Sequence, residues 1–295
     1  MTEPPLQLYD PRAGGLALKV EAFADAEALA APQRSNYFTV FWVQTGRGTF
    51  WADLGDYDFG AGSLLFLVPY QCFRFQPDGP LRGVCIQFHA NFFCIETYHE
   101  QVGCNGVLFN DVYGAPRVVL GPADERELAG LVDALRRELS EQGLAHPEVL
   151  LAYLKILLVK ATRLKLEQQA GTANTAARLP VVLDELRQLV EAHFRDEHRP
   201  AWYADHLHLT PKALAKLTKK HLRKTLTELI RERVLRQAKW DLLHTLKPVK
   251  QIAAELGFQD ELYFSRLFKQ SAGCAPTFFR EYETAIRGGK NLSMT

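Results

Sequence analysis

The 295-residue sequence contains no run of about 18 apolar residues, although 47% of its residues are hydrophobic. A helix needs roughly 20 predominantly apolar residues to cross a bilayer, so we expect no membrane-spanning helix. The first residues, MTEPPLQLYDPRAGG, lack the basic patch and apolar block of a secretory signal, so we expect none. The sequence therefore favours a protein of the cytoplasm with roughly one to three hydrophobic cores.

Cysteine is scarce, with five residues and no tight regular spacing. That usage predicts reduced thiols rather than a disulfide framework. One local series of metal-ligating residue types stands apart, because its members follow at intervals of five: His89, Cys94, His99 and Cys104. Zinc sites usually contain closer pairs, about two to four residues apart. Buried thiols and ordinary histidines are therefore the alternative to a weak metal or redox site here.

Charge is unevenly distributed along the chain. Residues 180–295 contain 20 Lys and Arg against 14 Asp and Glu, a formal charge of +6, and the remainder carries −5. A phosphate-binding surface requires a basic balance of this kind, and a chance imbalance is the alternative. The acidic N-terminal part is not expected to touch nucleic acid.

The stretch 249–280 has the pattern of two short helices. Its apolar residues recur at helical spacing, and Gly257 can end the first helix in a left-handed conformation. Gln259 or Asp260 can cap the second helix, which ends near Gly273. Two short helices joined by a Gly-containing turn make a helix-turn-helix, whose second helix enters a DNA major groove. An ordinary helical hairpin is the alternative.

A longer motif covers the same stretch. The run LGFQDELYFSRLFKQSAG, followed by Pro276 and by Phe279-Arg280, resembles the signature of the AraC family of bacterial transcription regulators. The resemblance implies two helix-turn-helix units side by side in one DNA-binding domain, over roughly the last 100 residues. It also implies that the protein is an activator or a repressor that works on promoter DNA with RNA polymerase.

The first of the two implied units lies at Ala201–Leu222. Its first helix is predicted at Pro200–His208, and Thr210 precedes Pro211 as the N-cap of the first recognition helix. This sequence departs from the family pattern at Thr218, where an aromatic residue is usual, and at Leu222, where glycine is usual. Because of the second departure, the sequence defines the position of the helix end only to within one turn.

A long helix at Thr225–His244 is predicted between the units. At about 1.5 Å per residue it spans roughly 30 Å, close to the roughly 34 Å of one turn of B-DNA. Such a connector can place two recognition helices in successive major grooves. The predicted DNA-contacting residues lie on the outward faces of the recognition helices and near the start of the second unit: Thr210, Lys212, Ala215, Lys216, Lys219, Lys247, Lys250, Gln259, Glu261, Leu262, Ser265, Arg266 and Lys269.

Residues from about 17 to 119 have the pattern of a small sandwich or barrel. Candidate strands alternate with Gly and Pro turns: Tyr37–Gln44, Gly48–Leu54, Ser63–Val68, Cys72–Phe75 and Gly83–His89. The run GTFWADLGDYDFGAGSLLFLVP is similar to the core of the cupin-like jelly roll that AraC-type regulators commonly carry. The resemblance therefore implies an N-terminal β domain that senses a small-molecule effector.

Cupin enzymes hold a metal with two histidines and a glutamate on early strands and a further histidine later. This sequence has no histidine before His89, so we expect no cupin-type metal, no cofactor and no enzymatic activity. A cupin-type metalloenzyme with an accessory helical domain is the alternative. The candidate effector-binding residues are mostly aromatic side chains of the strands, of which about half must be plain core: Tyr37, Phe41, Trp51, Phe66, Tyr70, Phe73 and Arg74.

Two amphipathic helices are predicted between these parts, at Pro122–Gln142 and His146–Gln169. They can pack on their own domain or form a homodimer, as such helices often do in regulators resembling this one. The small polar run 170–177 predicts a flexible linker. The sequence thus predicts an α+β multidomain chain, with a cupin-like sensor (1–120), a helical dimerisation region (121–170), a linker (171–179) and an all-α double helix-turn-helix domain (180–290).

Overall fold

The computed structural model of the chain describes residues 5–24, 26–53, 55–93, 107–109, 111–141, 143–174 and 181–287. Strands make up most of the N-terminal part, and helices alone make up the C-terminal part. The predicted α+β architecture is therefore confirmed. None of the helices within these ranges combines the length and apolar character needed to cross a bilayer.

The strands form two five-stranded sheets, with the orders β1-β3-β8-β5-β6 and β10-β7-β4-β9-β2. All pairings are antiparallel except that of β1 with β3, which is parallel. The strands are β1 (Leu6–Gln7), β2 (Leu18–Phe23), β3 (Gln33–Ser35), β4 (Phe38–Thr45), β5 (Gly48–Ala52), β6 (Gly55–Phe59), β7 (Ser63–Leu67), β8 (Cys72–Pro77), β9 (Arg82–Phe88) and β10 (Arg117–Val119).

Strand β6 was not predicted, although its five residues alternate between the two faces of the sheet. Tyr57 and Phe59 are buried, and Asp56 and Asp58 are exposed. The preceding strand is predicted to end at Leu54, and the next turn is predicted at Gly60 and Gly62. The charged residues obscured a half-buried edge strand, which needs only one apolar face.

The β domain has two hydrophobic cores. One lies between the sheets and is filled by aromatic rings in mutual contact, among them Phe41, Phe50, Phe73 and Phe75. The other lies on the outer face of the second sheet, where two long helices cover it. The long helices bury Leu128, Val132, Leu135, Leu154 and Leu157 there.

The helices are α1 (Ala26–Ala30), α2 (Pro122–Glu141), α3 (His146–Asn174), α4 (Val181–His193), α5 (Pro200–His206), α6 (Pro211–Leu222), α7 (Leu226–His244), α8 (Val249–Glu255), α9 (Glu261–Ala272) and α10 (Pro276–Ile286). Helix α3 continues to Asn174, so the predicted start of the linker at 171 is wrong. One glycine inside a helix costs only about 1 kcal/mol, which the rest of a 29-residue helix tolerates. The rest of the predicted linker, from residue 175, lies outside the described residues.

Helices α4 to α10 enclose one hydrophobic core. The connector α7 supplies much of it and begins with a capping box, in which Thr225 and Glu228 each accept the other's backbone N–H. Leu226, Ile230, Ala238 and Leu242 form a buried stripe along it. With 19 residues at about 1.5 Å each, α7 is roughly 28 Å long.

Candidate nucleic-acid interface and the domain junction

The first recognition helix, α6, begins as the sequence predicts. Thr210 Oγ1 accepts the backbone N–H of Ala213 at 3.2 Å, and Pro211 occupies the first helical position. Leu214 and Thr218 are buried against the domain core. The residues predicted to face DNA are exposed to solvent: Thr210, Lys212, Ala215, Lys216 and Lys219.

The end of α6 lies at Leu222, followed by Arg223 in a left-handed conformation with φ 60°. A non-glycine residue there costs about 1–2 kcal/mol. Arg223 also reaches Asp58 of the β domain at 3.5 Å. Next to it, buried Lys224 pairs with Glu232 of α7 at 2.6 Å. Burial lowers the pKa of Lys224, but the Glu232 carboxylate outweighs it and the pKa is raised.

The second unit consists of α8 and α9. Gly257 has φ 82°, and a Cβ at this position would lie 2.3 Å from the Arg195 carbonyl oxygen, so only glycine fits the turn. Asp260 caps α9 by accepting the Leu262 N–H at 2.8 Å. Gly273 ends the helix with φ 78°. The predicted helix-turn-helix is confirmed in its turn, its cap and its end.

The outward face of α9 holds the other predicted contact residues. Leu262, Arg266 and Lys269 are exposed, with 72% of the Leu262 side chain accessible. Arg266 Nη2 lies 4.0 Å from Asp260 Oδ2, and both side chains are mostly in solvent. An exposed pair at that distance is weak, so the guanidinium stays available for an external partner. The remaining predicted positions also reach solvent at this end: Gln259, Glu261 and Ser265.

Two of the predicted DNA-contacting residues, Lys247 and Lys250, lie just before α8 and in its first turn. Lys247 Nζ pairs with Glu255 Oε2 at 2.5 Å, so its charge is partly satisfied within the domain. Lys250 is exposed. A contact between Lys247 and phosphate would therefore have to compete with the Glu255 carboxylate.

A buried polar cluster joins the β domain to the last helix, α10. Glu283 Oε1 accepts the Asn36 amide at 3.0 Å and the Tyr70 hydroxyl at 2.5 Å, and Oε2 lies 3.4 Å from His89 Nε2. All four side chains are buried. Burial raises the pKa of Glu283, but the hydrogen bond with His89 and the charge of Arg287 lower it below its ordinary value.

A cleft adjoins this cluster, between the β domain and α7, α9 and α10. The space within it that a water-sized sphere can reach is about 100 Å³. Its apolar lining includes Phe38, Val68 and Leu235. Lys239 of α7 also lines it and donates to the Pro69 carbonyl at 3.3 Å, and burial lowers the pKa of this amine.

Two cleft residues have left-handed backbones, Asp53 with φ 49° and Tyr70 with φ 66°. Such strain costs of the order of 1–3 kcal/mol per residue and tends to cluster at functional sites. The Asp53 carboxylate accepts the Cys72 N–H at 3.0 Å. Asp53 is half-buried. Burial raises its pKa to about 6, although the charge of Lys239 acts in the opposite direction.

Of the seven candidate effector-binding residues, only Tyr70 lines this cleft. Phe41 and Phe73 are packed in the core between the sheets, and Phe66 packs against Phe109 in the other core. The other three lie elsewhere in the β domain: the Tyr37 hydroxyl donates to the Leu16 carbonyl at 2.9 Å, and Arg74 lies over the Trp51 ring at 5.5 Å. Their role in binding stays a prediction.

The residues of the junction could not be recognised in the sequence because their partners are far apart in the chain. His89 entered only as a possible metal ligand, and it is instead buried against Glu283. The rest of that series, Cys94, His99 and Cys104, lies outside the described residues. Within the ranges that the structure does describe, no three His, Cys, Asp or Glu side chains are grouped to hold a metal ion.

Comparison with known proteins identifies a helix-turn-helix domain in the helical half of the chain. Residues 203–282, from α5 to α10, match the helix-turn-helix domain family. The HTH-type transcriptional activator RhaR of Cronobacter sakazakii is 24% identical over 204 residues, which is 68% of this chain and 70% of that protein. The arabinose operon regulatory protein of Salmonella typhimurium is 34% identical over 94 residues, 32% of this chain and 34% of that protein. The chain therefore carries a helix-turn-helix domain and resembles transcription regulators of the AraC type.

The AraC-type match to the arabinose operon regulatory protein spans about a third of that protein's length. The cupin-like character of the β domain stays a prediction. Among solved structures, the C-terminal domain of AraT from Geobacillus stearothermophilus is 27% identical, covers 36% of this chain and 88% of that chain, and has a TM-score of 0.35. ToxT from Vibrio cholerae is 15% identical, covers 90% and 98%, and has a TM-score of 0.39.

Proposed function

We propose that this chain is a regulator of the AraC type, which acts in the cytoplasm and regulates transcription by binding promoter DNA through both helix-turn-helix units. The observation that carries the proposal is the pair of capped recognition helices, α6 and α9, each with an exposed face that carries basic side chains. The connector α7, roughly 28 Å long, separates the two units by nearly one turn of the duplex, which is about 34 Å. Lysines on α6 and arginine on α9 supply donors for phosphate and base edges.

Activation through RNA polymerase is the proposed outcome of this binding. The relative RhaR is described as a transcriptional activator. A surface outside the two recognition helices has to remain accessible for such a partner when DNA is bound. The exposed side chains of Trp240 and Leu246, at the end of α7, meet that requirement.

A small-molecule effector is proposed to bind in the junction cleft. Apolar side chains and a few buried polar groups line it, which is the usual chemistry of such sites. Because both domains contribute to the walls, a ligand there can favour one arrangement of the domains by its differential affinity.

Homodimerisation is proposed through α2 and α3. These helices cover the second sheet with one face and leave Ile156 and Leu166 of α3 exposed to solvent, at 42% and 48%. We retain the division into a sensor (1–120), a helical region from 121, and a DNA-binding domain (180–290), with the linker confined to residues after Asn174.

Selection of binding sites from a random DNA library by the full-length protein tests the proposed function. We expect enrichment of one site with two conserved segments about one helical turn apart. A chain with Lys216→Glu and Arg266→Glu provides the control, because both side chains are exposed and their replacement leaves the core intact. Absence of any enriched sequence from a folded protein at low salt would refute the proposal.

A further inference from the structure

Helix α10 lies between the β domain and the second helix-turn-helix unit and contacts both. On the side of the β domain, Glu283 accepts from Asn36 and Tyr70. Tyr282 Oη donates to the Tyr9 carbonyl at 2.9 Å, and the Asn91 side chain donates to the Ile286 carbonyl at 2.7 Å. The β domain thus holds the last two turns of α10 through several hydrogen bonds.

Arg280 makes the contact between α10 and the rest of the DNA-binding domain. It lies three residues before Glu283 on the same helix. Arg280 Nε donates to the Leu242 carbonyl at 3.0 Å, and Nη2 donates to the Lys247 carbonyl at 2.6 Å. Leu242 lies near the end of α7, and Lys247 precedes α8 by two residues. Arg280 therefore holds the corner between α7 and α8, which is the short segment that precedes the second unit.

The hydrogen-bonding state of His89 can be deduced from its neighbours. His89 Nδ1 accepts the backbone N–H of Asn91 at 3.1 Å, so in the neutral ring the proton lies on Nε2. Nε2–H then faces Glu283 Oε2 at 3.4 Å as a donor. The carboxylate is consequently the acceptor for three β-domain donors, and a group without an acceptor atom there would leave all three unsatisfied.

The junction has the features of a contact that can open. It contains buried charged groups and a cleft, and among the residues that the structure describes Arg34 Nε and Arg287 Nε have no hydrogen-bond partner. Buried charge is costly to desolvate, so such an interface depends on the few specific contacts that satisfy it. The cleft is lined by Asn36, Tyr70, His89 and Glu283. A ligand in the cleft would therefore touch the residues whose hydrogen bonds keep the junction closed.

We propose that α10 transmits the state of the junction cleft to the second helix-turn-helix unit, with Glu283 as the latch and Arg280 as the link to α8. When the latch is closed, the β domain holds α10, and Arg280 holds the corner between α7 and α8. When it opens, α10 is released and the second unit gains freedom relative to the first. The regulatory meaning of this coupling rests on the proposed function, since it assumes that the second unit binds DNA.

Hydrogen–deuterium exchange of the full-length protein without DNA tests the coupling. Glu283→Gln keeps the shape of the side chain but places an amide N–H where it can face His89 Nε2–H, and Tyr70→Phe removes a single donor. We expect either variant to raise the exchange of amides in α10 and α8 by about tenfold, because a hydrogen bond to a charged group is lost. Tyr37→Phe is the matched control, since it removes a hydroxyl that bonds only within the β domain, and should change both helices less than twofold.

Arg280→Met tests whether the effect of the latch on α8 passes through Arg280 or reflects a general loosening of the DNA-binding domain. In that background, Glu283→Gln should still raise exchange in α10 but add nothing further in α8. Unchanged exchange in α10 and α8 of both latch variants would overturn the proposal, as would a rise confined to α10 when Arg280 is present. Because no DNA is used, such a failure is distinct from a failure of the proposed DNA binding. If Glu283→Gln does not fold, Tyr70→Phe provides the same test.

Discussion

The guanidinium of Arg34, in β3, donates through Nη2 to the Gln270 carbonyl at 3.3 Å, near the carboxyl end of the second recognition helix. The same side chain packs against Gly273, where a Cβ would lie 2.5 Å from Arg34 Nη1. A cation is favoured at this end of a helix because it complements the helix dipole. A residue of the β domain therefore supports a recognition helix directly.

Substitution of Gly273 by alanine should destabilise the protein by more than the ordinary cost of a left-handed alanine. That backbone cost is about 1–2 kcal/mol, and displacement of Arg34 adds to it. Denaturant unfolding of the full-length protein measures the total. In an Arg34→Ala background the penalty of Gly273→Ala should shrink toward the backbone cost alone.

Gly130→Ala is the matched control for that experiment. Gly130 lies within α2, and a Cβ there would meet nothing within 4 Å. The substitution should stabilise the protein by roughly 0.5–1 kcal/mol, since alanine is the better helix former. Equal penalties for Gly273→Ala with and without Arg34 would show that Arg34 does not pack as described.

Asp53 should make the stability fall as pH rises from about 4 to 7. Burial raises the pKa of its carboxyl to about 6 in the folded chain. Since this lies above the unfolded value, the stabilisation is complete below the unfolded pKa and is lost as pH rises through the folded pKa. A pKa that is higher by about two in the folded chain corresponds to about 3 kcal/mol of unfolding free energy.

The measurement is the free energy of unfolding of the wild type and of Asp53→Asn across that pH range. The variant should gain about 2 kcal/mol relative to the wild type between pH 4 and pH 7, because its amide does not titrate. Other titrating groups largely cancel in the comparison. Parallel pH profiles for the two proteins would contradict the raised pKa of Asp53.

The DNA-binding half could be predicted in detail because its signals are local. Thr210 before Pro211, and Gly257 and Gly273 at helix ends, act within one turn of the residues they serve. The junction could not be predicted in this way. His89 and Glu283 are 194 positions apart, and neither position carries a short-range pattern that names the other. Apolar periodicity also cannot distinguish aromatic residues that fill the sandwich from those that line a cleft.

Arg266 is predicted to contact a base, and Lys269 to contact phosphate. A bidentate contact between arginine and guanine is worth about 1–3 kcal/mol against the wrong base. Arg266→Ala should weaken the cognate site by that amount and relax the preference at one base pair. Lys269→Ala should weaken all sequences alike and reduce the salt slope by about one. Binding to a randomised-site library distinguishes the two, and an unchanged base preference in Arg266→Ala at every position would exclude its role in readout.

The α3 surface is predicted to mediate the homodimer. Ile156→Glu together with Leu166→Glu should shift the protein toward monomer in sedimentation, because charge is costly in an apolar contact. Leu246→Glu is the control, as Leu246 is 72% exposed in the DNA-binding half. A dimer that withstands the double substitution would place the interface elsewhere.

The most direct test of the account is a hydroxyl-radical footprint of the full-length protein on its selected site. Two recognition helices joined by α7 should protect two segments of the duplex, about one helical turn apart on one side. Lys216→Glu in α6 should remove protection from one segment, and Arg266→Glu in α9 should remove it from the other. A single protected segment, or loss of both segments with either substitution at saturating protein, would contradict the claim that each unit occupies its own major groove.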